Sequence, residues 1–311
     1  MGFAILQLRS FVTTVRSGFH VSKAAEQLNT SQSVVSKHLK SIEEALGKTL
    51  FARSGKRLTG LTTEGEKIFP FAERILRDHE SIRRISVEAV ETRRETLSVA
   101  TTPTMARYFI AETVQAFTKS YPDVDLYVRV LSSDKVVEVV QSIQCDLAVV
   151  PAGIILPPEL RVTDLESWSR ILIGLPDCPL FQMPELTLEA ISTVPIVSFE
   201  TPTFSMRDVF DQKGILPRIA ITASNPDVMK AYSALGLGVS VVAKPTFDPV
   251  RDAPLVSRDV ADLFPDVKII ALDRTDCYQT RAHNNFLQQL KHSANLRRNV
   301  FSATENETGG G

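Results

Sequence analysis

VSKAAEQLNTSQSVVSKHLKSIEEALG, Val21 to Gly47, holds two apolar-periodic runs separated by the polar break NTSQS. The break is too short to join two domains, so the runs read as two helices meeting at a tight turn, a helix-turn-helix unit. The first carries Ala24, Ala25 and Leu28. The second begins near Ser31 and repeats at Val34, Val35, Leu39 and Ile42. Spacings of three and four put that set on one side of a helix, facing a core. The other side presents Gln32, Ser33, Ser36, Lys37 and Lys40, with Ser31 at its start. An α-helix fits the major groove of DNA, where its first residues reach base edges and its flanks reach phosphates. Gln32 has the amide that pairs with adenine, the serines take base edges or phosphate, and the lysines supply charge.

The flanking sequence agrees. Ile5, Leu8, Phe11, Val12 and Val15 mark a preceding helix, so three short helices share one small core. After Gly47, KTLFARSGKRLTGLTTEG reads as a β-hairpin with a basic turn, whose Arg53, Lys56 and Arg57 can follow a phosphate backbone. Residues 1–60 carry nine Lys/Arg against three acids, a balance of +6, which leaves −7 on the rest of a chain of net charge −1. A basic module on an acidic body points to a polyanion partner for the module alone.

Thr63 with Glu66 three residues on is a capping-box signature for a long helix. Along it, Ile68, Ala72, Ile75, His79, Ile82, Ser86 and Ala89 alternate four and three apart, a heptad seam expected to pair two copies. Pro70 should kink its first turns. From residue 96 short β-rich runs alternate with helical stretches, the latter including Met105–Lys119, Ser133–Ile143, Ser205–Lys213 and Pro226–Leu235. That alternation predicts an α/β body with largely parallel sheets. The expected domains are a winged helix-turn-helix over 1–62, a dimerisation helix over 63–90 and a hinge over 91–95. An α/β effector domain spans 96–300. Its subdomain I covers about 96–165 and 267–300, and subdomain II about 166–266; a last amphipathic helix runs over Tyr278–Leu296. A polar tail over 301–311 is expected to be disordered.

Hydroxyls gather where strands run into helices. Thr102 and Thr104 flank Pro103; Thr203, Ser205 and Arg207 lie in SFETPTFSMRD; Asn225 precedes Pro226. Helix starts offer free N–H groups to an anion, and α/β sheets collect ligands at the carboxyl ends of their strands. Three such starts could converge on one cleft. Cys145, Cys178 and Cys277 are far apart and form no CxxC or Cys/His cluster, which argues against a disulfide framework or a zinc site. No signal peptide, membrane span or lipidation motif is legible, so the cytoplasm is the expected compartment. No enzyme motif stands out either: G-x-S-x-G and P-loop patterns are missing and the histidines lie away from the expected cleft. A thiol sensor would need a reactive cysteine; Cys145 precedes an apolar strand and reads as core, while Cys178 in PDCPL reads as more exposed.

AAEQLNTSQSVVSKHLKSIEEALGKTLFAR resembles the N-terminal signature of LysR-type transcriptional regulators. FARSGKRLTGLTTEG, ATTPTMARYFI, AFTKSYPDVDLYV and LPRIAITASNPDVMKAYSALGLGVSVVA narrow the resemblance to the CysB-like branch, the regulators of sulfur assimilation. It covers essentially the whole chain. It implies a linker helix pairing two subunits, a homotetramer built as a dimer of dimers on promoter DNA, and a type 2 periplasmic-binding-protein-like effector domain. RNA polymerase is a further candidate partner, and neither a cofactor nor a membrane is expected. The family's cleft hydroxyls fall on Thr102 and Thr104. Its usual glutamine falls on Met105, where a backbone N–H contact would survive. A family threonine falls near Pro151, another on or near Ser205, and a tryptophan on Trp168. The resemblance thus implies a cytoplasmic regulator switched by a small anion: sulfate, a sulfonate or an acylated amino acid such as acetylserine.

Overall fold

The computed structural model describes residues 2–55, 57–88, 94–142, 144–201 and 204–308, and side chains within these except 84, 86–88 and 298–308. Lys56, Thr203 and most of the expected hinge lie outside the described residues. The chain divides into two compact units, the first holding residues 1–90 and the second most of the rest.

In the first unit, α1 (Ile5–Arg16), α2 (Val21–Gln27) and α3 (Gln32–Leu46) precede a hairpin of β1 (Phe51–Ser54) and β2 (Arg57–Leu61) and the long α4 (Thr63–Glu88). Leu8, Phe11, Ala24, Val35, Leu39, Ile42, Leu50 and Phe51 are buried together. The turn between α2 and α3 places Asn29 at φ +50°, a left-handed conformation that asparagine tolerates. Gly47 at φ +63° ends α3, as glycine does after a helix. Side chains also tie α3 to α1: Gln7 Nε2 donates to Ser41 Oγ at 2.7 Å, and Ser10 Oγ meets His38 Nδ1 at 2.8 Å.

Three expectations change here. Val34 is 39 % exposed, so the buried stripe of α3 is Val35, Leu39 and Ile42 alone. The cap of α4 is Thr62, not Thr63: its Oγ1 accepts the Gly65 N–H at 3.0 Å and donates to the Thr49 carbonyl at 2.7 Å. A Cβ on Gly65 would meet the Leu50 carbonyl oxygen at 2.2 Å, so the helix start fits only with glycine there. Ile68 and Ala72 pack into the winged-helix core. The outward apolar stripe of α4 is Phe71 (67 % exposed), Ile75, Ile82 (65 %) and Ile85, again four and three apart with Asp78 between. Pro70 sits inside the helix without ending it, at an exposed position where water can serve the carbonyl its missing N–H leaves open.

The second unit starts with β3 (Glu95–Thr101), α5 (Pro103–Tyr108), α6 (Ala111–Ser120), β4 (Val124–Val130), α7 (Ser133–Gln141), β5 (Leu147–Pro151) and β6 (Leu160–Trp168). It crosses over through β7 (Arg170–Gly174), α8 (Leu188–Ser192), β8 (Ile196–Thr201), β9 (Phe204–Ser205), α9 (Met206–Asp211), β10 (Ile219–Ala223), α10 (Pro226–Ala234), β11 (Ser240–Ala243) and β12 (Val256–Asp259). It returns as β13 (Val267–Arg274) and ends in α11 (Arg281–Thr308). Subdomain I is the sheet β4-β3-β5-β13-β6; subdomain II holds β11-β7-β12 and β10-β8-β9, joined by the bridge Ile196–Val239.

The sheets are mixed rather than largely parallel. β3 runs parallel to β4 and β5, and β10 to β8, but β13 is antiparallel to β5 and β6, β7 to β11 and β12, and β8 to β9. The chain reaches subdomain I twice, and its returning strand enters from the opposite end. Subdomain I extends to Trp168, because β6 pairs with β13 over its whole length. The expected helix Met105–Lys119 is two, divided at Phe109 and Ile110, which are both buried. The last helix continues through 301–308, where a disordered tail was expected; no glycine or proline interrupts it before Gly309.

Candidate functional site

On α3, Ser31, Gln32, Ser33, Ser36, Lys37 and Lys40 are all exposed, and the stripe beneath them is buried. Ser31 is also the cap of the helix: its Oγ accepts the Val34 N–H at 3.3 Å and lies 2.8 Å from Ser33 Oγ. Lys40 pairs loosely with Glu44 at 3.5 Å, an exposed contact worth little. Arg57 is exposed at the hairpin turn. Arg53 has a different setting. Its guanidinium bonds Glu43 Oε2 at 2.9 Å, while Glu43 Oε1 accepts the N–H groups of Leu50 and Phe51 at 2.8 and 3.2 Å. Arg53 therefore helps fix the hairpin to the end of α3.

The second unit encloses a cavity of about 650 Å³ between its subdomains, at the crossover. Subdomain I lines it from the starts of α5 and α7 and the end of β5; subdomain II lines it with Phe199, Phe204, Pro226 and Met229. Of the sequence-chosen residues, Thr102, Thr104, Met105 and Trp168 meet there; Ser205 does not line it, and Thr203 lies outside the described residues. Arg207 is exposed elsewhere, and Asn225 caps α10 by accepting the Asp227 N–H at 2.7 Å. The convergence is therefore of α5, α10 and the unforeseen α7, whose Ser132 and Ser133 reach the cavity. The α9 start is absent from the lining, and Ser205 Oγ donates to Glu200 Oε1 at 3.2 Å.

Several of these groups are already engaged. Thr102 Oγ1 accepts the Met105 N–H at 3.4 Å, so the backbone donor expected to serve a ligand serves the cap. Trp168 is both core and cleft wall. It packs edge-to-face on Phe109 at 5.8 Å and donates its N–H to Glu166 at 2.9 Å, leaving only its ring to the cavity. Pro151 closes β5 opposite Ile269 and lines the cavity without a donor. Among the described residues, the Thr104 hydroxyl makes no hydrogen bond.

Two buried cations lie near this cavity, and sequence reasoning missed both. Lys230, 5 % exposed on α10, bonds Tyr108 Oη at 2.9 Å, the Thr246 carbonyl at 2.7 Å and Asp252 at 3.0 and 3.2 Å. Tyr108 in turn bonds Asp227, so α5 of subdomain I is fastened to α10 of subdomain II. Burial would lower the pKa of Lys230, but its bonds to Tyr108 and Asp252 outweigh that and hold it above the ordinary lysine value. Arg170, at the head of β7, lines the cavity itself. Its only signal in the sequence is a charge opening the apolar run RILIGL. Cys145 is buried, and its Sγ approaches the carbonyls of Ser98 and Leu147 at 2.9 and 3.1 Å. Burial pushes its thiol up to about 11, which suits a core residue and not a reactive sensor.

Residues 5–66 match the family described as bacterial regulatory helix-turn-helix protein, lysR family, and residues 91–295 match the LysR substrate binding domain. The chain is 35 % identical over 261 residues to the transcriptional regulator SsuR of Burkholderia cenocepacia, covering 83 % of this chain and 85 % of that one. It is 34 % identical to CysB of Haemophilus influenzae, covering 83 % and 80 %. The cofactor-binding domain of the Cbl transcriptional regulator superposes with a TM-score of 0.61 at 27 % identity, covering 68 % of this chain and 94 % of that structure. These relatives are named as regulators, not enzymes. The chain belongs to the LysR family of transcriptional regulators, on the CysB-like branch with SsuR, CysB and Cbl.

Proposed function

We propose that this regulator binds its operator through α3 and the hairpin, and that a small anionic, sulfur-related effector in the cleft switches DNA binding or bending. The observation that carries the DNA part is the outward face of α3. Six polar or basic side chains stand exposed over a fully buried Val35–Leu39–Ile42 stripe, so the helix can enter a major groove without disturbing its own core. Val34 adds an exposed methyl pair of the kind that packs on a thymine methyl. The outward stripe of α4 supports pairing of two copies, and a dimer of dimers would set two such arms on successive half-sites.

The effector part rests on the cavity between the subdomains and on the place of the chain in the CysB-like branch, whose resemblance implies sulfur regulation. An effector can act only by binding one arrangement of the subdomains better than another. In subunits paired through α4, such a change would alter the spacing of the DNA-binding arms. The test starts from the full-length protein and a pool of random-sequence duplexes, from which binding sites are selected. The enriched operator is then footprinted with and without sulfate, alkanesulfonates and O- and N-acetylserine. Recovery of a paired half-site sequence is the expected result for the DNA part. A footprint that changes length or bend with one compound is the expected result for the switch; identical footprints under all of them overturn it.

A further inference from the structure

Arg170 is 5 % exposed. Its Nε donates to the Pro265 carbonyl at 2.8 Å, and its guanidinium sits over the Phe204 ring, with the central carbon 3.8 Å from the ring centroid. Among the described residues no carboxylate comes within 4.0 Å of it. That isolation is unusual for a buried cation, because a charge taken out of water is stable only when paired. Lys230, equally buried in the same subdomain, meets this requirement with Asp252 and Asp227. Burial pushes the Arg170 pKa down to about 10, with Asp266 acting in the other direction, so it is cationic at neutral pH. Phe204 covers one face of the guanidinium and the Pro265 bond takes Nε, so the remaining N–H groups are available at the cavity wall.

The rest of the cavity limits what can meet that charge. Of the acids that line it, Asp134 and Asp266 are exposed and Glu200 is half-buried; Asp266 accepts from Ser167 Oγ at 2.9 Å and Glu200 from Ser205. With Asp134 they make three acids against one further lining cation, the exposed Lys268, a balance that disfavours a second negative group. The wall beside Arg170 is apolar, with Phe199, Phe204 and Met229. A volume of about 650 Å³ falls in the range of roughly 300–1,000 Å³ that holds organic ligands and is far larger than an inorganic oxyanion fills.

We infer that the effector is an organic monoanion with an apolar body, its acidic head held by Arg170 and its body against Phe204, Phe199 and Met229. The head is a sulfonate or a carboxylate, since either oxyanion accepts two parallel N–H bonds from a guanidinium. This inference rests on the effector-cleft reading above and narrows it.

Calorimetric titration of the full-length protein tests it, with methane-, butane- and hexanesulfonate, hexanoate, sodium sulfate and neutral hexanesulfonamide. Affinity should rise about fourfold per added methylene until the wall is reached. Sulfate should bind far more weakly than hexanesulfonate, and the neutral sulfonamide at least tenfold more weakly. Comparison of hexanesulfonate with hexanoate tells which head is preferred. Arg170→Gln should lose tenfold or more for every anion, and Arg170→Lys should keep part of the affinity. Sulfate binding as tightly as hexanesulfonate would overturn the apolar body. A sulfonamide as tight as the sulfonate would overturn the anionic head, and an Arg170→Gln protein binding like wild type would overturn the anchor while leaving an anion in the cleft. No binding of any of these anions overturns this inference, while the footprints with O- and N-acetylserine decide the effector-cleft reading separately. Should Arg170→Gln fail to fold, the charged and neutral pair in the wild-type protein decides the anchor.

Discussion

The outer face of α3 and the cluster around Lys230 are both rich in polar side chains, yet they are committed in opposite ways. On α3 the side chains of Gln32, Ser36 and Lys37 stand in water above an apolar stripe, and the fold asks nothing of them. Around Lys230 every charge is taken up by another residue of the same chain, across the boundary between two subdomains. The first arrangement leaves its hydrogen-bonding capacity to a partner; the second spends it on holding α5 against α10. Cation count alone would not separate the two. What separates them is whether removal of a charge leaves something buried and unpaired behind.

The largest effect should therefore come from the buried cluster. Asp252→Ala removes the carboxylate that Lys230 meets at 3.0 Å and that also accepts the Asp248 N–H at 2.9 Å. Breaking one side of a buried pair costs about 3–5 kcal/mol. Thermal unfolding of the full-length protein should show the transition of the second unit falling by roughly 6–20 °C, at about 2–4 °C per kcal/mol for a unit of this size. A midpoint within a degree of wild type would mean that Lys230 finds another partner and that the contrast with α3 is false.

Lys37→Ala and Lys40→Ala test the other side of the comparison. Each should leave stability within about 0.5 kcal/mol of wild type, because both lysines are exposed. Each should weaken binding to the selected operator and to unrelated duplexes alike. The slope of log affinity against log salt should become shallower by about 0.9 for each DNA phosphate that the lysine no longer neutralises. An unchanged slope would take that lysine out of the interface. A double variant should show twice the change in slope of either single one, since the two side chains share no partner on the protein.

How much of this was legible in the sequence follows from the same distinction. The winged helix-turn-helix was readable almost residue by residue, because its helices are amphipathic and their partners lie within sixty positions. The exceptions were side chains whose burial is decided by an adjoining element. Val34 turned outward, and Ile68 and Ala72 turned inward against the winged-helix core, which moved the seam of α4 to Phe71, Ile75, Ile82 and Ile85. In the second unit β6 was invisible to alternation because Arg161, Asp164 and Glu166 interrupt LRVTDLESW. Two of those charges are satisfied from far along the chain. Arg161 Nε meets Asp273 at 3.1 Å, and Glu166 accepts from Arg297 at 3.0 Å. The cleft hydroxyls Thr102 and Thr104 could be placed by their strand-to-helix position. Arg170 could not, since nothing local distinguishes a buried, unpaired arginine from one that opens a surface strand.

Ser31 makes the smallest of these effects and the sharpest use of the comparison, because it sits on both sides of it. Its hydroxyl is exposed toward any DNA partner and yet accepts the Val34 N–H at 3.3 Å as the cap of α3. Ser31→Ala should cost about 1 kcal/mol of stability as the first turn frays. Because that turn carries Gln32 and Ser33, operator affinity should fall by up to about fivefold, the same free energy expressed at the interface. Ser31→Asn keeps a neutral cap of comparable strength but places its oxygen and amide differently. If Ser31 acts through the helix, asparagine should recover both the midpoint and the affinity, measured by thermal unfolding and by fluorescence anisotropy on the selected duplex. Recovered stability with affinity still low would instead make the hydroxyl itself a DNA contact. The face of α3 would then include a side chain that the fold and the partner share.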